Sequence, residues 1–259
     1  MRTVYGPIET AQLGRVLGVD MVASHRKYCS FDCIYCQSVR RTHGVARRRQ
    51  FVGISWVQAL LENEETFDVD HVVFSGMGEP TLASNLGEAI DLVRSLVGKP
   101  VAVLTNSSLM PRDDVRRDLS KADLVVAKLD APNEELYQQI NRPFVPYHLA
   151  EIIAGLERFS AEYEGRLVLQ STFLPENRAA AAELAAIASR ISPSEVQLNT
   201  PLEYDTQVAR ADIERIRDGF AGMRTTSVYE VQRPDRGPFS LALPPLRPNT
   251  GVMLMAWAT

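Results

Sequence analysis

Asp70-His-Val-Val-Phe-Ser75, running straight into Gly76-Met77-Gly78-Glu79-Pro80, sets the frame in which the rest of the chain is read. The β-branched and aromatic run reads as a buried strand that stops at glycine. A helical pattern follows over 85–97, with Leu86, Ala89, Ile90, Val93 and Leu96 at helical spacing. The same pairing recurs outward in both directions. Downstream, a strand over 100–105 precedes a short helix opening at Pro111, with Asp113 and Asp114 in its first turn. A strand over 122–129 precedes helical stretches over 133–140 and 147–163, which Pro143 and Pro146 separate. A strand over 166–173 leads to an alanine-rich helix over 176–190, and a strand over 195–199 leads to a helix over 206–220. Upstream, a weaker strand over 19–23 and a helix over 55–65 flank a cysteine segment. Near-continuous apolar strands alternating with helices call for a parallel sheet covered by helices, hence an α/β barrel or partial barrel of six strand–helix units. A doubly wound open sheet has the same periodicity and stays open as an alternative.

The remaining composition narrows the function classes. At 259 residues, with 45% hydrophobic content, the chain can bury a large core. Lys and Arg number 28 against 32 Asp and Glu, so coating nucleic acid through bulk charge is not expected. The start carries no apolar signal core, and no apolar run approaches the ~20 residues that span a bilayer, so no membrane association and a cytoplasmic location are expected. No linker divides the chain before about 232. Residues 1–232 are expected to form one barrel domain and 233–259 an irregular Pro-rich tail.

Three cysteines, Cys29, Cys33 and Cys36, are the chain's whole complement, packed into eight residues. An odd, clustered set is a poor disulfide framework and a good metal site. Thiolates suit iron–sulfur clusters or zinc. A four-iron core held by three thiolates keeps one iron open to an exogenous ligand, which suggests chemistry at that position. The alternative is a structural zinc site with His25 or His43 as the fourth ligand.

Cys-x3-Cys-x2-Cys, with Tyr35 just before the last cysteine, resembles the radical S-adenosylmethionine (SAM) superfamily. Phe74-Ser-Gly-Met-Gly-Glu-Pro-Thr81 resembles that superfamily's Gly-Gly-Glu-Pro motif. The likeness continues through Val4-Tyr-Gly-Pro7, Cys36-Gln37, Val103-Leu-Thr-Asn106, Leu129-Asp-Ala131, Ile140-Asn-Arg-Pro143 and Val196-Gln-Leu-Asn-Thr200. The combination is similar to the Fe–S oxidoreductase group related to wyosine-biosynthesis (4-demethylwyosine synthase-like) enzymes, over roughly residues 5–201.

The resemblance implies a partial (βα)6 TIM-type barrel with a [4Fe–4S] loop after the first strand, held by Cys29, Cys33 and Cys36. It implies that S-adenosylmethionine binds the fourth iron and is cleaved to a 5′-deoxyadenosyl radical that takes hydrogen from a substrate. Tyr35 would pack beside the adenine, and Gly78 and Glu79 would receive the methionine ammonium, with Gly76 and Gly78 letting backbone approach closely. Lys128 and Asp130 resemble the position that meets the methionine carboxylate or ribose. Functional side chains of a barrel collect at the C-terminal strand ends, so Thr105, Asn106, Ser171 and Asn199 are further cofactor-binding candidates. His25, His71 and His148 are read as structural histidines.

The superfamily's usual pair of adjacent glycines is here Gly76-Met77-Gly78, so Met77 replaces one of them. The Gly-Met-Gly-Glu-Pro string also resembles adenosine C2 RNA methyltransferases, which need two further cysteines. Wyosine-forming enzymes use a second cluster. Three cysteines leave none for either device, nor for a twitch or SPASM-type auxiliary cluster.

Arg40, Arg41, Arg47, Arg48 and Arg49 follow the cysteines, and Arg26 and Lys27 precede them. This local positive charge suits RNA phosphates, a phosphorylated small molecule, or an acidic electron donor such as flavodoxin or ferredoxin; the alternative is a solvated loop. The expected function is a radical SAM enzyme acting on a small molecule or RNA base. The alternatives are an activase that installs a glycyl radical on a partner protein, and a non-enzymatic Fe–S or zinc protein that binds nucleic acid.

Overall fold

A computed structural model describes residues 2–10, 12–36, 41–62, 68–201 and 207–230. Along these residues the elements run β1 (Val4–Thr10), β2 (Gly14–Val19), β3 (Lys27–Cys29), β4 (Thr42–Gly44), α1 (Ile54–Glu62), β5 (His71–Phe74), α2 (Leu86–Val97), β6 (Val101–Thr105) and α3 (Asp113–Leu119). They continue β7 (Leu124–Lys128), α4 (Glu134–Ile140), α5 (Leu149–Glu162), β8 (Arg166–Thr172), α6 (Ala181–Ile191), β9 (Glu195–Asn199), α7 (Arg210–Asp218) and β10 (Thr225–Ser227).

One sheet carries the order β1-β2-β5-β6-β7-β8-β9-β10, and β3 pairs with β4 in a separate two-stranded sheet. β1 runs antiparallel to β2, whereas every pairing from β2 to β10 is parallel. Each new strand joins at the same advancing edge, and the order never reverses. A doubly wound sheet requires such a reversal, so that alternative is overturned and the fold is a singly wound partial barrel.

The two sides of the sheet bury different sets of residues, as strand alternation requires. Val72 and Phe74, Val101 and Val103, Val125 and Ala127, and Leu167 and Leu169 pack with α1 to α7 in the main core. Their neighbours Val16, Val73, Ala102, Leu104, Leu124, Val126 and Val168 form a second apolar cluster on the concave side, closed by Tyr5, Ile8 and Leu13. α2 shows why the helices lie where they do. Leu86, Ala89, Ile90 and Val93 are fully buried at three- and four-residue spacing, and Gly98 in the left-handed region (φ 64) ends the helix. Each such leucine, isoleucine or valine contributes roughly 1.5–3 kcal/mol by leaving water.

Three expectations are corrected. The first barrel strand is Gly14–Val19 rather than 19–23. Asp20 ends it by accepting the Val22 N–H at 2.9 Å, which turns the apolar Met21-Val22-Ala23 out of strand conformation. β1 was not expected because Gly6-Pro7 interrupts it; as an edge strand it tolerates the proline. β10 adds a seventh parallel strand, and its Thr-Thr-Ser carries no apolar run. The expected tail 233–259 lies outside the described residues, as do Thr206 and Glu65 at two expected helix ends and Arg40 of the basic run. Among the described residues, no helix is long and apolar enough to cross a membrane.

Candidate active site

The cysteine segment leaves β3 at Cys29 and returns at β4, directly after the first barrel strand and before α1. β3 and β4 pair in parallel with Lys27 opposite Thr42 and Cys29 opposite Gly44, so the segment is closed at its base. Two turns grip it, one after α4 and one at the C-terminal end of β6. The 140–144 turn accepts the Asp32 and Ile34 N–H groups at its carbonyls, and Ser30 O accepts the Phe144 N–H at 2.9 Å. The turn after β6 reaches it through Ser108, whose hydroxyl lies 2.6 Å from that of Ser30. Each turn holds a non-glycine residue in the left-handed region, Ser107 (φ 67) and Arg142 (φ 47), conformations that persist only where surrounding contacts impose them.

Each thiol has its own N–H donor, and each donor comes from a different element. Asn106 Nδ2, just past β6, lies 3.6 Å from Cys29 Sγ. Asn141 Nδ2, capping α4, lies 3.5 Å from Cys33 Sγ. Lys27 Nζ, on β3, lies 3.0 Å from Cys36 Sγ. Burial pushes the Cys29 thiol up to about 12, against Lys27, and the Cys33 thiol up to about 11, with Asp130 adding to the rise. Burial alone would lower Lys27, but Cys36, Cys29 and Cys33 outweigh it and hold the amine protonated.

These features fit the [4Fe–4S] group. Lys27 is 3% exposed with its ammonium 3.0 Å from Cys36 Sγ, so an anionic group bound at the sulfurs would face a buried cation. Among the described residues no three His, Cys, Asp or Glu side chains close on a single ion. A four-iron core makes no such demand, because each thiolate binds a different iron. His43 is exposed with its ring 6.0 Å from that of Tyr28.

The Gly76–Pro80 loop packs beside the cysteines at the end of β5. A side chain at Gly78 would put its Cβ 1.8 Å from the Tyr28 carbonyl, so only glycine lets this loop touch the strand that delivers Cys29. At Gly76 a Cβ would meet the Asp20 carboxylate at 2.1 Å. Met77, in place of one of the two adjacent glycines, donates its N–H to Asp20 Oδ2 at 3.2 Å. Glu79 is 2% exposed, and its acceptors are largely used within the protein. Oε1 accepts from Thr105 Oγ1 at 2.6 Å and from Thr81 Oγ1 at 2.6 Å, while Oε2 accepts from the Asn106 N–H at 2.7 Å. Burial raises its pKa, and the Thr105, Thr81 and Asn106 donors work against that rise.

A second polar group gathers at the ends of β7 and β8. Tyr35 donates its hydroxyl to Asp130 Oδ2, and Lys128 Nζ lies 4.8 Å from the centre of the Tyr35 ring. Lys128 also donates to Thr172 Oγ1 at 2.5 Å and pairs with Asp130 Oδ1 at 3.5 Å. Asn141 donates to Asp130 Oδ2 at 3.0 Å, joining this group to Cys33. Burial first, then Asp130 and Cys33, hold the Tyr35 hydroxyl well above its usual range, which keeps it a donor.

The structure therefore brings together Cys29, Cys33, Cys36, Tyr35, Gly76, Gly78, Glu79, Thr105, Asn106, Lys128 and Asp130. Ser171 stands apart, because it shares the helix-facing parity of Leu167 and Leu169 and donates to the Leu129 carbonyl at 2.6 Å. Asn199 ends β9 and accepts the Thr200 N–H at 2.8 Å. His71 Nδ1 meets the Leu13 carbonyl at 2.8 Å, and His148 caps α5, both structural positions. From the sequence, Lys27 counts only among the basic residues flanking the cysteines, and Asn141 and Asn177 have no assigned role, although Asn141 sits inside a quoted string. Asn177 Nδ2 bonds the Asp130 and Thr172 carbonyls at 2.7 and 2.8 Å, tying β7 to β8. Arg48 leaves the basic run altogether. Its side chain is 6% exposed, paired with Asp114 and Asp118, and it donates to the Thr81 and Ala83 carbonyls.

The radical SAM superfamily model matches residues 24–188, from the start of the cysteine segment into α6. UPF0026 protein slr1464 of Synechocystis sp. is 38% identical over 199 residues, covering 76% of this chain and 75% of that protein. UPF0026 protein MJ1312 of Methanocaldococcus jannaschii is 32% identical over 209 residues, covering 78% of this chain and 64% of that protein. The solved structure of TYW1 with a lysine–pyruvate adduct bound superposes with a TM-score of 0.62 over 79% of this chain and 72% of that one, at 16% identity. At that identity the likeness is one of fold.

Proposed function

The chain belongs to the radical SAM superfamily, and from that premise we propose that Cys29, Cys33 and Cys36 are its cluster ligands and that it abstracts hydrogen from a small-molecule or RNA-base substrate. It is an enzyme, its cofactors are a [4Fe–4S] cluster and S-adenosylmethionine, and the non-enzymatic alternative falls with that membership. The cluster supplies, when bound, the electron that cleaves the sulfonium of S-adenosylmethionine. The observation that carries the site assignment is the set of three thiols, each with its own N–H donor, beside a buried lysine.

The protein's own groups then have distinct tasks. Asn106, Asn141 and Lys27 orient the thiols. Glu79 holds the Gly76–Pro80 loop against β6, and its Oε2 keeps a lone pair beyond the Asn106 N–H for the methionine ammonium. Lys128 and Asp130 offer a cation and an anion at one strand end, suited to the carboxylate and the ribose hydroxyls of S-adenosylmethionine. Tyr35 stays protonated and fixed on Asp130, which sets the position of its ring.

We propose further that an acidic one-electron carrier of the flavodoxin or ferredoxin kind docks over the exposed residues nearest the cysteines. Ile34, between Cys33 and Cys36, is exposed, as are Arg26, Arg41 and Arg47. Exposed apolar and positively charged residues suit such a partner, and a reducing cytoplasm suits unpaired thiols. Reversing Arg41 and Arg47 to Glu slows turnover driven by the protein carrier and leaves dithionite-driven turnover intact.

The primary test is anaerobic reconstitution with iron and sulfide. A brown protein with about four irons, releasing 5′-deoxyadenosine from S-adenosylmethionine on reduction, is expected. A colourless protein that retains zinc and releases no nucleoside overturns the reading, as does unchanged iron in the Cys29→Ala, Cys33→Ala and Cys36→Ala variants.

A further inference from the structure

The three thiols do not share one environment. Asn106 and Asn141 offer Cys29 and Cys33 neutral amide N–H groups, whereas Lys27 offers Cys36 a full positive charge at 3.0 Å. Lys27 is fixed in place. It lies on β3 with its ammonium held 2.8 Å from Thr42 Oγ1, the residue opposite it in register on β4. Thr42 in turn donates its own hydroxyl to Asp32 Oδ1 at 2.5 Å, so the Asp32 carboxylate is linked to the ammonium through a hydroxyl. Among the described residues no Asp or Glu forms an ion pair with Lys27, while the lysines Lys121 and Lys128 both have one. A buried ammonium without a carboxylate partner costs several kcal/mol unless another anion faces it.

We propose that Lys27 is a positioning residue whose fixed charge serves as the counter-ion of the cluster and makes the cluster easier to reduce. This rests on the reading of Cys29, Cys33 and Cys36 as its ligands. A cluster held by three thiolates gains one further negative charge on accepting an electron from an external one-electron donor. A cation locked against one ligand sulfur favours that more negative state, because net charge and hydrogen bonds at sulfur are what set such potentials. The low-dielectric surroundings, with Lys27 buried beside half-buried cysteines, prevent water from screening the effect. Thr42 and Asp32 keep the ammonium from swinging away to solvent.

The experiment compares wild type, Lys27→Gln and Lys27→Arg, each reconstituted anaerobically. Iron and sulfide are counted, and the reduced-cluster signal in electron paramagnetic resonance is titrated against ambient potential without S-adenosylmethionine. Gln keeps an N–H donor and removes the charge; Arg keeps the charge. The expected result is a Lys27→Gln protein whose reduced-to-oxidised ratio at fixed potential falls about tenfold, a midpoint lower by ~59 mV, with Lys27→Arg near wild type. Loss of the cluster from Lys27→Gln but not from Lys27→Arg also supports the assignment, since charge is then needed to hold the core at all. An unmoved midpoint in a four-iron Lys27→Gln protein overturns it, and so does equal loss of iron from both variants, which would make the lysine's shape the requirement. A wild type that fails to take up four irons and four sulfides instead overturns the ligand reading, and this inference with it.

Discussion

Glu79 Oε2 accepts the backbone N–H of Asn106 at 2.7 Å, and the side chain of Asn106 reaches Cys29 Sγ. One buried carboxylate thus connects the loop after β5, the end of β6 and the Cys29 thiol. Glu79→Ala leaves the Thr105 hydroxyl and the Asn106 N–H without their acceptor. A loss of about 2–4 kcal/mol is expected in urea unfolding of the metal-free protein, together with lower iron uptake. Thr105→Val, which removes one of these bonds, is expected to cost about 1 kcal/mol. A Glu79→Ala protein with wild-type stability and iron would show that the link is not structural.

Gly78 tests how tightly the same loop meets β3. A Cβ there would stand 1.8 Å from a backbone carbonyl, which cannot rotate aside as a side chain can. Gly78→Ala is expected to displace Tyr28 and Cys29 and to lower the iron retained after reconstitution. Full retention, measured by iron analysis, would count against the close approach.

Arg47 and Arg48 are neighbours with opposite expectations. Arg48 is buried between two aspartates, and removing it leaves Asp118 without its cation and two carbonyls without their donor, while Asp114 keeps Arg112. Arg48→Met is expected to cost about 3–5 kcal/mol, and Arg47→Met, at an exposed position, within about 0.5 kcal/mol. Chemical denaturation of the pair separates structure from docking within one run of arginines.

Asp20 gives a pH signature. Burial raises its carboxyl to about 6, against the Met77 and Val22 N–H groups that favour its charge. The folded state therefore binds this proton more tightly than the unfolded chain, where the group titrates near 4. The stabilisation is full below about pH 4 and is lost as the pH rises through about 6. Relative to Asp20→Asn, wild type is expected to lose on the order of 2–3 kcal/mol between pH 4 and pH 7. Parallel stability curves for the two proteins would rule this out.

The order of strands and helices was legible in the chain because parallel barrel strands are buried on both faces and so read as short apolar runs, as at Val72–Phe74 and Val101–Leu104. The three cysteines and the Gly76–Pro80 loop were legible because close spacing and glycine constraints are local. Lys27, Asn141 and Asn177 were not, since nothing in a lone lysine or asparagine shows which distant sulfur or carbonyl it will meet. Arg48 was misread for the same reason: a charge run looks solvated until Asp114 and Asp118, 66 and 70 positions away, are folded against it.

By itself, then, the sequence determined the alternation of elements and the close spacing of its three thiols. The tertiary structure alone decided between barrel and doubly wound sheet, because strand order is a matter of which edges pair. It alone also gave Cys29, Cys33 and Cys36 their separate donors, because Asn106, Asn141 and Lys27 meet the sulfurs only where β6, α4 and β3 converge.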